Sequence, residues 1–423
     1  MYQEFHRLLD ELDRLITEAR EHEKHDPDTA LYYYRKSLNI IISLIRVTEN
    51  RETSERLKSI GQKIYYRIEK IKGGRLPKRM GEGVIDKYIN DAALEVGVPL
   101  NTDEYNIVIK PIYSYFKTDV KEFGKILSFN NIKRTNPVLG EIFRIVELRF
   151  KRIYRDLSPN YCALLVGPSG TGKTTFARSL MGYIASLCKK SGRKWVYVEI
   201  DASRLLGMYM GQSEKTTKAV FHTINRMLED GLNIGVYFDE LGGLFSKKAA
   251  AINASMGNVL NIFKQETGRL IDLAMRPGGT RGFLLMLAST NYPEDLDENI
   301  IRRFGGNIVY VGLPHKKEII FLIKDRLSQL KDIFIDLSEK DLDEIAAAMR
   351  RKLYSIHDII NALERAKDKA ALEAFNKGEK PVLNKNIIMK TIEEVNATNS
   401  RERIEEMEKW LRNRGVSFRS SLD

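Results

Sequence analysis

Cysteine is nearly missing from this chain of 423 residues: there are two, Cys162 and Cys188. Cys162 sits in a strand-like run and Cys188 near the end of a helical pattern. No Cys/His spacing suits zinc, so the expectation is two buried or semi-buried thiols in a reducing cytosol. Long apolar runs are missing too. Nothing approaches the ~20 consecutive apolar residues of a membrane-spanning helix. Residues Met1–Arg14 already mix polar and apolar types, so no signal peptide is expected. No internal repeat or low-complexity tract is visible. What is left is a soluble, globular, cytoplasmic chain, 43% hydrophobic and 30% charged, long enough for two or three domains.

Acid is in deficit. Lys and Arg number 69 against 57 Asp and Glu, a net charge of +12. That balance favours an acidic partner: nucleic acid, anionic lipid or acidic peptide. The same balance is common in thermophile proteins rich in Lys, Arg and Glu. Here the basic residues are spread out and mixed with acids.

Residues 1–72 read as three amphipathic helices. Phe5, Leu8, Leu9, Leu12, Leu15, Ile16 and Ala19 recur at helical spacing in the first. The second opens on Asp26-Pro27, an N-cap followed by proline at the first helical position. Its stripe is Leu31, Tyr34, Leu38, Ile41, Ile42 and Ile45. The third carries Leu57, Ile60, Ile64, Ile68 and Ile71, and Gly73-Gly74 stops it. Three such helices bury their faces against one another. Residues 73–125 form a connecting segment: a Gly-rich basic linker at Gly73–Gly83, a helix at Val84–Val96, and strand-like and turn-like pieces at Asn106–Tyr115.

From about residue 126 the pattern changes. Pro137–Tyr154 reads as helix. Strand-like runs follow at Ala163–Val166, Trp195–Ile200, Ile234–Phe238, Phe283–Ala288 and Asn307–Val311, each followed by a helix or a functional loop. The alternation predicts an α/β fold with a parallel sheet between helices, over 126–313. From 314 to 423 the chain reads as almost wholly helical to Gly415, a helical lid.

Gly167-Pro168-Ser169-Gly170-Thr171-Gly172-Lys173-Thr174 matches the phosphate-binding loop G-x-x-x-x-G-K-[ST], with Thr175 next in line. It follows a strand and precedes a helix. Its glycines let backbone N–H groups wrap phosphates, and the helix points its positive end at them. Lys173 would reach the β- and γ-phosphates of ATP, and the Thr174 hydroxyl would bind Mg2+. Ile234–Phe238 is an apolar strand ending in Asp239-Glu240. Asp239 would hold the Mg2+ through water, and Glu240 would act as general base toward the attacking water. The next strand runs into Ser289-Thr290-Asn291, where Asn291 either positions that water or caps a turn before Pro293. Arg302-Arg303 at a helix end are either a solvated pair or arginine fingers for a neighbouring subunit.

The phosphate loop, the Asp-Glu strand tip, Asn291 and Asp297-Glu298-Asn299-Ile300-Ile301-Arg302-Arg303-Phe304, in this order, resemble the AAA subfamily of AAA+ P-loop ATPases. Leu206–Lys215 is similar to the family's first pore loop. The resemblance implies that Tyr209 and Met210 project into the channel of a hexamer and grip an extended polypeptide; the alternative is that Tyr209 packs in a core. An aromatic and a thioether suit many different side chains. Lys247 and Lys248 fall where a second pore loop is expected. Residues 1–72 resemble the microtubule-interacting-and-trafficking (MIT) domain, a three-helix bundle that docks helices of ESCRT-III filament subunits. Ser400–Gly415, with Trp410, resembles the terminal helix of the meiotic clade: ESCRT-disassembling ATPases, katanin and spastin. The function the resemblance implies is ATP-driven threading or remodelling of a protein substrate, with an ESCRT-III-like filament as the favoured one, in an archaeal setting with recruitment to membrane. The rivals are a DNA-associated AAA+ ATPase of the initiator or clamp-loader kind and a nucleotide-dependent scaffold. Two departures fall at the adenine end of the expected pocket. Phe129–Thr135 supplies Asn131 and Ile132 without the family's glycine, and the family's Ser-Gly-x-Asp-Ile becomes Ser355-Ile356-His357-Asp358-Ile359. His357 reads as a surface or lid residue.

Overall fold

The structure is a computed structural model. It describes residues 2–22, 25–48, 82–100, 102–117, 136–154, 156–158, 160–201, 212–243, 254–275, 282–304 and 306–422, and singly residues 53, 57, 60, 61 and 64. The chain divides into two compact units: residues 1–114 with 218–223, and residues 115–217 with 224–423.

In the first unit, α1 (Tyr2–His22) and α2 (Pro27–Val47) pair along the apolar stripes seen in the sequence. Leu12, Leu15 and Ala19 are buried with Tyr34, Leu38, Ile41 and Leu44. The side chain of Asp26 accepts from the Thr29 N–H at 3.2 Å, and Pro27 takes the first turn, where its missing N–H costs nothing. Leu57 and Ile64 of the expected third helix join this core, while Ile60 is exposed. Ile68, Ile71 and Gly73–Gly81 lie outside the described residues. The helix expected at Val84–Val96 is α3 (Glu82–Glu95). Of the strand-like and turn-like pieces expected at Asn106–Tyr115, the turn is there and the strand is not. That stretch is α4 (Asp103–Val108) followed by a 3-10 turn, Lys110–Tyr115. Local capping overrides its β-favouring residues: Thr102 Oγ1 accepts from the Tyr105 N–H at 3.1 Å, and Asp103 and Glu104 sit in the first turn.

The second unit carries a six-stranded sheet. Its strands are β1 (Phe116–Lys117), β2 (Tyr161–Val166), β3 (Trp195–Asp201), β4 (Asn233–Asp239), β5 (Leu284–Thr290) and β6 (Ile308–Tyr310), in the order β1-β3-β4-β5-β2-β6. β1 is antiparallel to β3, and the other five are parallel. Every residue of β5 is buried, as a central strand with both faces covered requires. The covering helices include α5 (Pro137–Phe150), α6 (Lys173–Lys190), α7 (Gln212–Glu229, of which Lys218–Thr223 clusters with the first unit), α8 (Ala254–Met275) and α9 (Glu298–Arg303). Helix α5 stops at Phe150 rather than running to Tyr154, because Arg152 turns into the left-handed region at φ 51°.

The lid is built from α10 (Lys316–Leu327), α11 (Glu339–Arg351), α12 (Ile356–Lys377) and α13 (Lys385–Glu394), and α14 (Arg401–Arg412) follows it. The lid is not wholly helical. A short parallel pair, β7 (Phe334–Asp336) and β8 (Val382–Asn384), joins the α10–α11 connection to the α12–α13 connection. Three-residue strands leave no periodic signature in a sequence. Its core gathers Ile319, Ile345, Met349, Tyr354, Ile359 and Ile388.

Candidate functional site

Sheet register brings the motif residues together. Val166, the last residue of β2, pairs with Thr290, the last of β5, and Phe238 of β4 pairs with Ala288. The loops after three neighbouring strands therefore leave the sheet at one level, beyond the carboxyl ends, where ligands of parallel α/β sheets bind.

The phosphate loop runs from β2 into α6. Gly170 and Gly172 hold φ of 74° and 92°, values that L side chains avoid. A side chain at Gly170 would also meet the Ser355 hydroxyl, 2.7 Å from its Cβ. No side chain caps α6, so its first N–H groups are left for a ligand. Gly167, Pro168 and Thr171 are buried; Ser169 and Thr175 are exposed. The Lys173 ammonium is buried and donates to Gly167 O (2.9 Å), Pro168 O (2.8 Å) and Asn291 Oδ1 (2.5 Å). Burial pushes its pKa down to about 8, against the opposing pull of the Glu240 and Asp239 carboxylates. A cation so desolvated is held for an anion.

Asp239 is fastened by hydroxyls. Tyr237 and Ser289 each donate to its Oδ1 at 2.8 Å, and the Thr174 hydroxyl lies 3.3 Å from both carboxylate oxygens. Burial, and then the Asp239 charge, raise the Tyr237 phenol above its ordinary value, so it stays a donor. Neither Tyr237 nor Ser289 was picked out as a site residue in the sequence. The signal for Tyr237 was there: two residues before Asp239 on one strand, it shares that residue's face. These oxygen donors fit Mg2+, which keeps water ligands and takes one or two protein groups with substrate phosphates. Among the described residues there is no cluster of three or more His, Cys, Asp or Glu for a fully protein-ligated ion.

Glu240 leaves the strand at φ 56°, in the left-handed region, a cost on the order of 1 kcal/mol that marks a constrained site. Its N–H donates to Ser289 Oγ at 3.2 Å, and its exposed carboxylate accepts from Asn291 Nδ2 at 2.9 Å. Asn291 thus bridges the lysine and the glutamate. It sits at the end of β5, which runs two residues further than the Ala288 stop expected from sequence.

The lid reaches the loop from the far side. The His357 N–H donates to Gly170 O at 3.2 Å while its side chain is exposed, and Ile356 Cδ1 lies 3.2 Å from where a Gly172 Cβ would stand. Ile356 therefore flanks the phosphate loop, whereas Asn131 and Ile132 lie outside the described residues. So do Tyr209, Met210, Lys247 and Lys248. Arg302 and Arg303 end α9 and are exposed. A Cβ on Gly268 would stand 2.5 Å from Arg303 Nη1, so that guanidinium lies against α8. Among the described residues, neither arginine bonds to the phosphate loop, Asp239 or Glu240.

A parallel sheet that delivers a phosphate loop, an Asp-Glu tip and a bridging asparagine to one edge, beside a helical bundle, defines the P-loop fold of the AAA+ type. The comparisons narrow this. Residues 163–312 match the ATPase family associated with various cellular activities (AAA), so the chain carries an AAA ATPase domain. Spastin of Danio rerio is 26% identical over 236 residues, 55% of this chain and 37% of that protein. An AAA ATPase forming ring-shaped complexes, of Corynebacterium diphtheriae, is 26% identical over 182 residues, 42% of this chain and 34% of that protein. The crystal structure of the FIGL-1 AAA domain superposes with a TM-score of 0.56 at 22% identity, covering 74% of this chain and 96% of that one. Spastin of Gallus gallus is likewise 26% identical over 231 residues, 54% of this chain and 34% of that protein. The chain spans about a third of the length of the curated relatives it matches.

Proposed function

We propose that the protein hydrolyses ATP and uses the energy to remodel or thread a protein substrate as a homo-oligomeric ring, with six subunits. The observation that carries the reading is the connected cluster Lys173–Asn291–Glu240, with Asp239 and Thr174 beside it. The N–H groups of Gly170–Thr175 and the Lys173 ammonium bind the phosphates. Thr174 and Asp239 would hold Mg2+, which would neutralise charge on the phosphates. Glu240 takes a proton from a water oriented by Asn291. The water oxygen bonds to the γ-phosphorus as the bond to the ADP oxygen breaks, giving ADP and phosphate. Arg302 and Arg303 are offered to the site of a neighbour, so turnover requires assembly.

Tyr209 and Met210 grip the substrate in the pore. Residues 1–72 act as an MIT-like docking module, 73–125 as its connection, 126–313 as the ATPase domain and 314–423 as lid and terminal helix. The favoured substrate is a filament-forming protein of the ESCRT-III kind, met in the cytoplasm or at a membrane surface. Among the described residues no helix is long and apolar enough to cross a membrane.

Two variants test the reading. Glu240→Gln should bind ATP normally and lose turnover by a factor on the order of 10² to 10⁴; an unchanged rate removes Glu240 as the base. Tyr209→Ala should keep ATPase activity and lose remodelling. The net charge of +12 favours DNA association as the second reading. ATPase activity stimulated by DNA, with Tyr209→Ala indistinguishable from wild type in remodelling, would replace the threading mechanism by that one.

A further inference from the structure

The segment that leads into the terminal helix touches three parts of the site at once. The Thr398 hydroxyl donates to Asp358 Oδ1 at 2.5 Å. Asp358 is the buried carboxylate that accepts from the Ser355 N–H (2.9 Å) and hydroxyl (2.7 Å) and so holds the first turn of α12 against Gly170. Asn399 Nδ2 donates to Ser169 O of the phosphate loop at 3.0 Å. Arg403, one turn further, reaches the loop after β5. Its Nη2 donates to Asn291 O at 2.7 Å, its Nη1 pairs with Glu294 Oε1 at 2.6 Å, and its guanidinium lies 4.8 Å from the centre of the Tyr292 ring.

Asn291 follows the last residue of β5, so the strand ladder no longer holds its carbonyl. The Arg403 fork holds it instead, while the Tyr292 ring and the Glu294 carboxylate fix the fork. Turning this peptide would swing the Asn291 side chain away from Lys173 and Glu240. We infer that Arg403 is a positioning residue for hydrolysis: by gripping the Asn291 carbonyl it sets the side-chain amide between the phosphate lysine and the general base, and makes turnover depend on the seating of α14. This rests on the proposed role of Asn291 in orienting the attacking water.

The test is a double-mutant cycle on the full chain, with kcat and KM for ATP at saturating protein assembly, ATP affinity in the Glu240→Gln background, and melting curves. Arg403→Ala should lower kcat tenfold or more with ATP affinity within about twofold of the parent, and Arg403→Lys, which keeps the charge but not the fork, should fall between. In an Asn291→Ala background, Arg403→Ala should cost nothing further. Multiplying effects of the two substitutions, an unchanged kcat in Arg403→Ala, or a parallel loss of affinity and melting temperature would each overturn the positioning role while leaving that of Asn291 intact. Full turnover in Asn291→Ala alone would remove the underlying reading, a result distinct from the others.

Discussion

The Nζ of Lys173 donates to Oδ1 of Asn291 at 2.5 Å, joining the cation of the phosphate loop to the amide at the end of β5 across 118 residues of sequence. The same amide donates to Glu240, so one side chain spans the group proposed to hold phosphate and the group proposed to activate water.

Lys173 gives a prediction in stability and pH. Burial lowers its pKa from 10.5 to about 8, so its charged form is disfavoured in the folded chain. Between pH 8 and 10.5 the unfolded chain binds the extra proton, and stability without added nucleotide should rise with pH across that window. The increment is on the order of 3 kcal/mol at most. Lys173→Met should lack this rise in urea titrations, cost little stability at pH 7, and abolish the upward shift in melting temperature that ATP gives the parent. A variant still stabilised by ATP would rule out Lys173 as the phosphate ligand.

The hydroxyl pair on Asp239 gives a second. Tyr237→Phe and Ser289→Ala each remove a 2.8 Å donor from Oδ1 and loosen the carboxylate. Each should raise the Mg2+ concentration needed for half-maximal ATPase by about 10- to 100-fold, with the maximal rate at saturating Mg2+ changing far less. Magnesium titrations of the two variants beside wild type would show it. An unshifted midpoint in both means that Asp239 does not serve the ion.

Arg302 and Arg303 separate binding from turnover. Arg302→Ala or Arg303→Ala should leave ATP affinity intact and lower kcat by a factor on the order of 10³. Mixing the Arg302→Ala,Arg303→Ala chain with Lys173→Ala subunits should restore some activity, because each then supplies what the other lacks at a shared site. Full specific activity at dilutions where sedimentation finds only monomer would exclude a role across subunits.

Cys188 is fully buried in the core beneath the sheet, and burial pushes its thiol up to about 12. The thiolate is the reactive form, so a maleimide at pH 8 should leave Cys188 unlabelled in the folded protein and modify it once the chain is unfolded. Mass spectrometry of the labelled peptide reads the result. Rapid labelling of the native protein at this position would mean that the core opens there.

Much of this molecule was legible locally. The G-x-x-x-x-G-K-T spacing, the apolar strands with buried faces, and the Asp26-Pro27 helix start each follow from rules that act within a few residues: backbone freedom of glycine, side-chain period, capping of free N–H groups. The same local reasoning failed at Asn106–Tyr115, where β-favouring side chains lost to a capped helix, and at β7 and β8, too short to carry a period. What tertiary structure alone decided is which distant groups meet. Ser289 joins Tyr237 on one oxygen of Asp239 because β4 and β5 pair in a particular register. Arg403 reaches the Asn291 carbonyl from 112 residues away because α14 docks beside the loop after β5. The sequence determined the phosphate loop, the central strands and the capped helix start, since those depend on near neighbours. The junctions between elements came from the packing of the whole unit, since a hydrogen bond across a hundred residues has no local pattern to announce it.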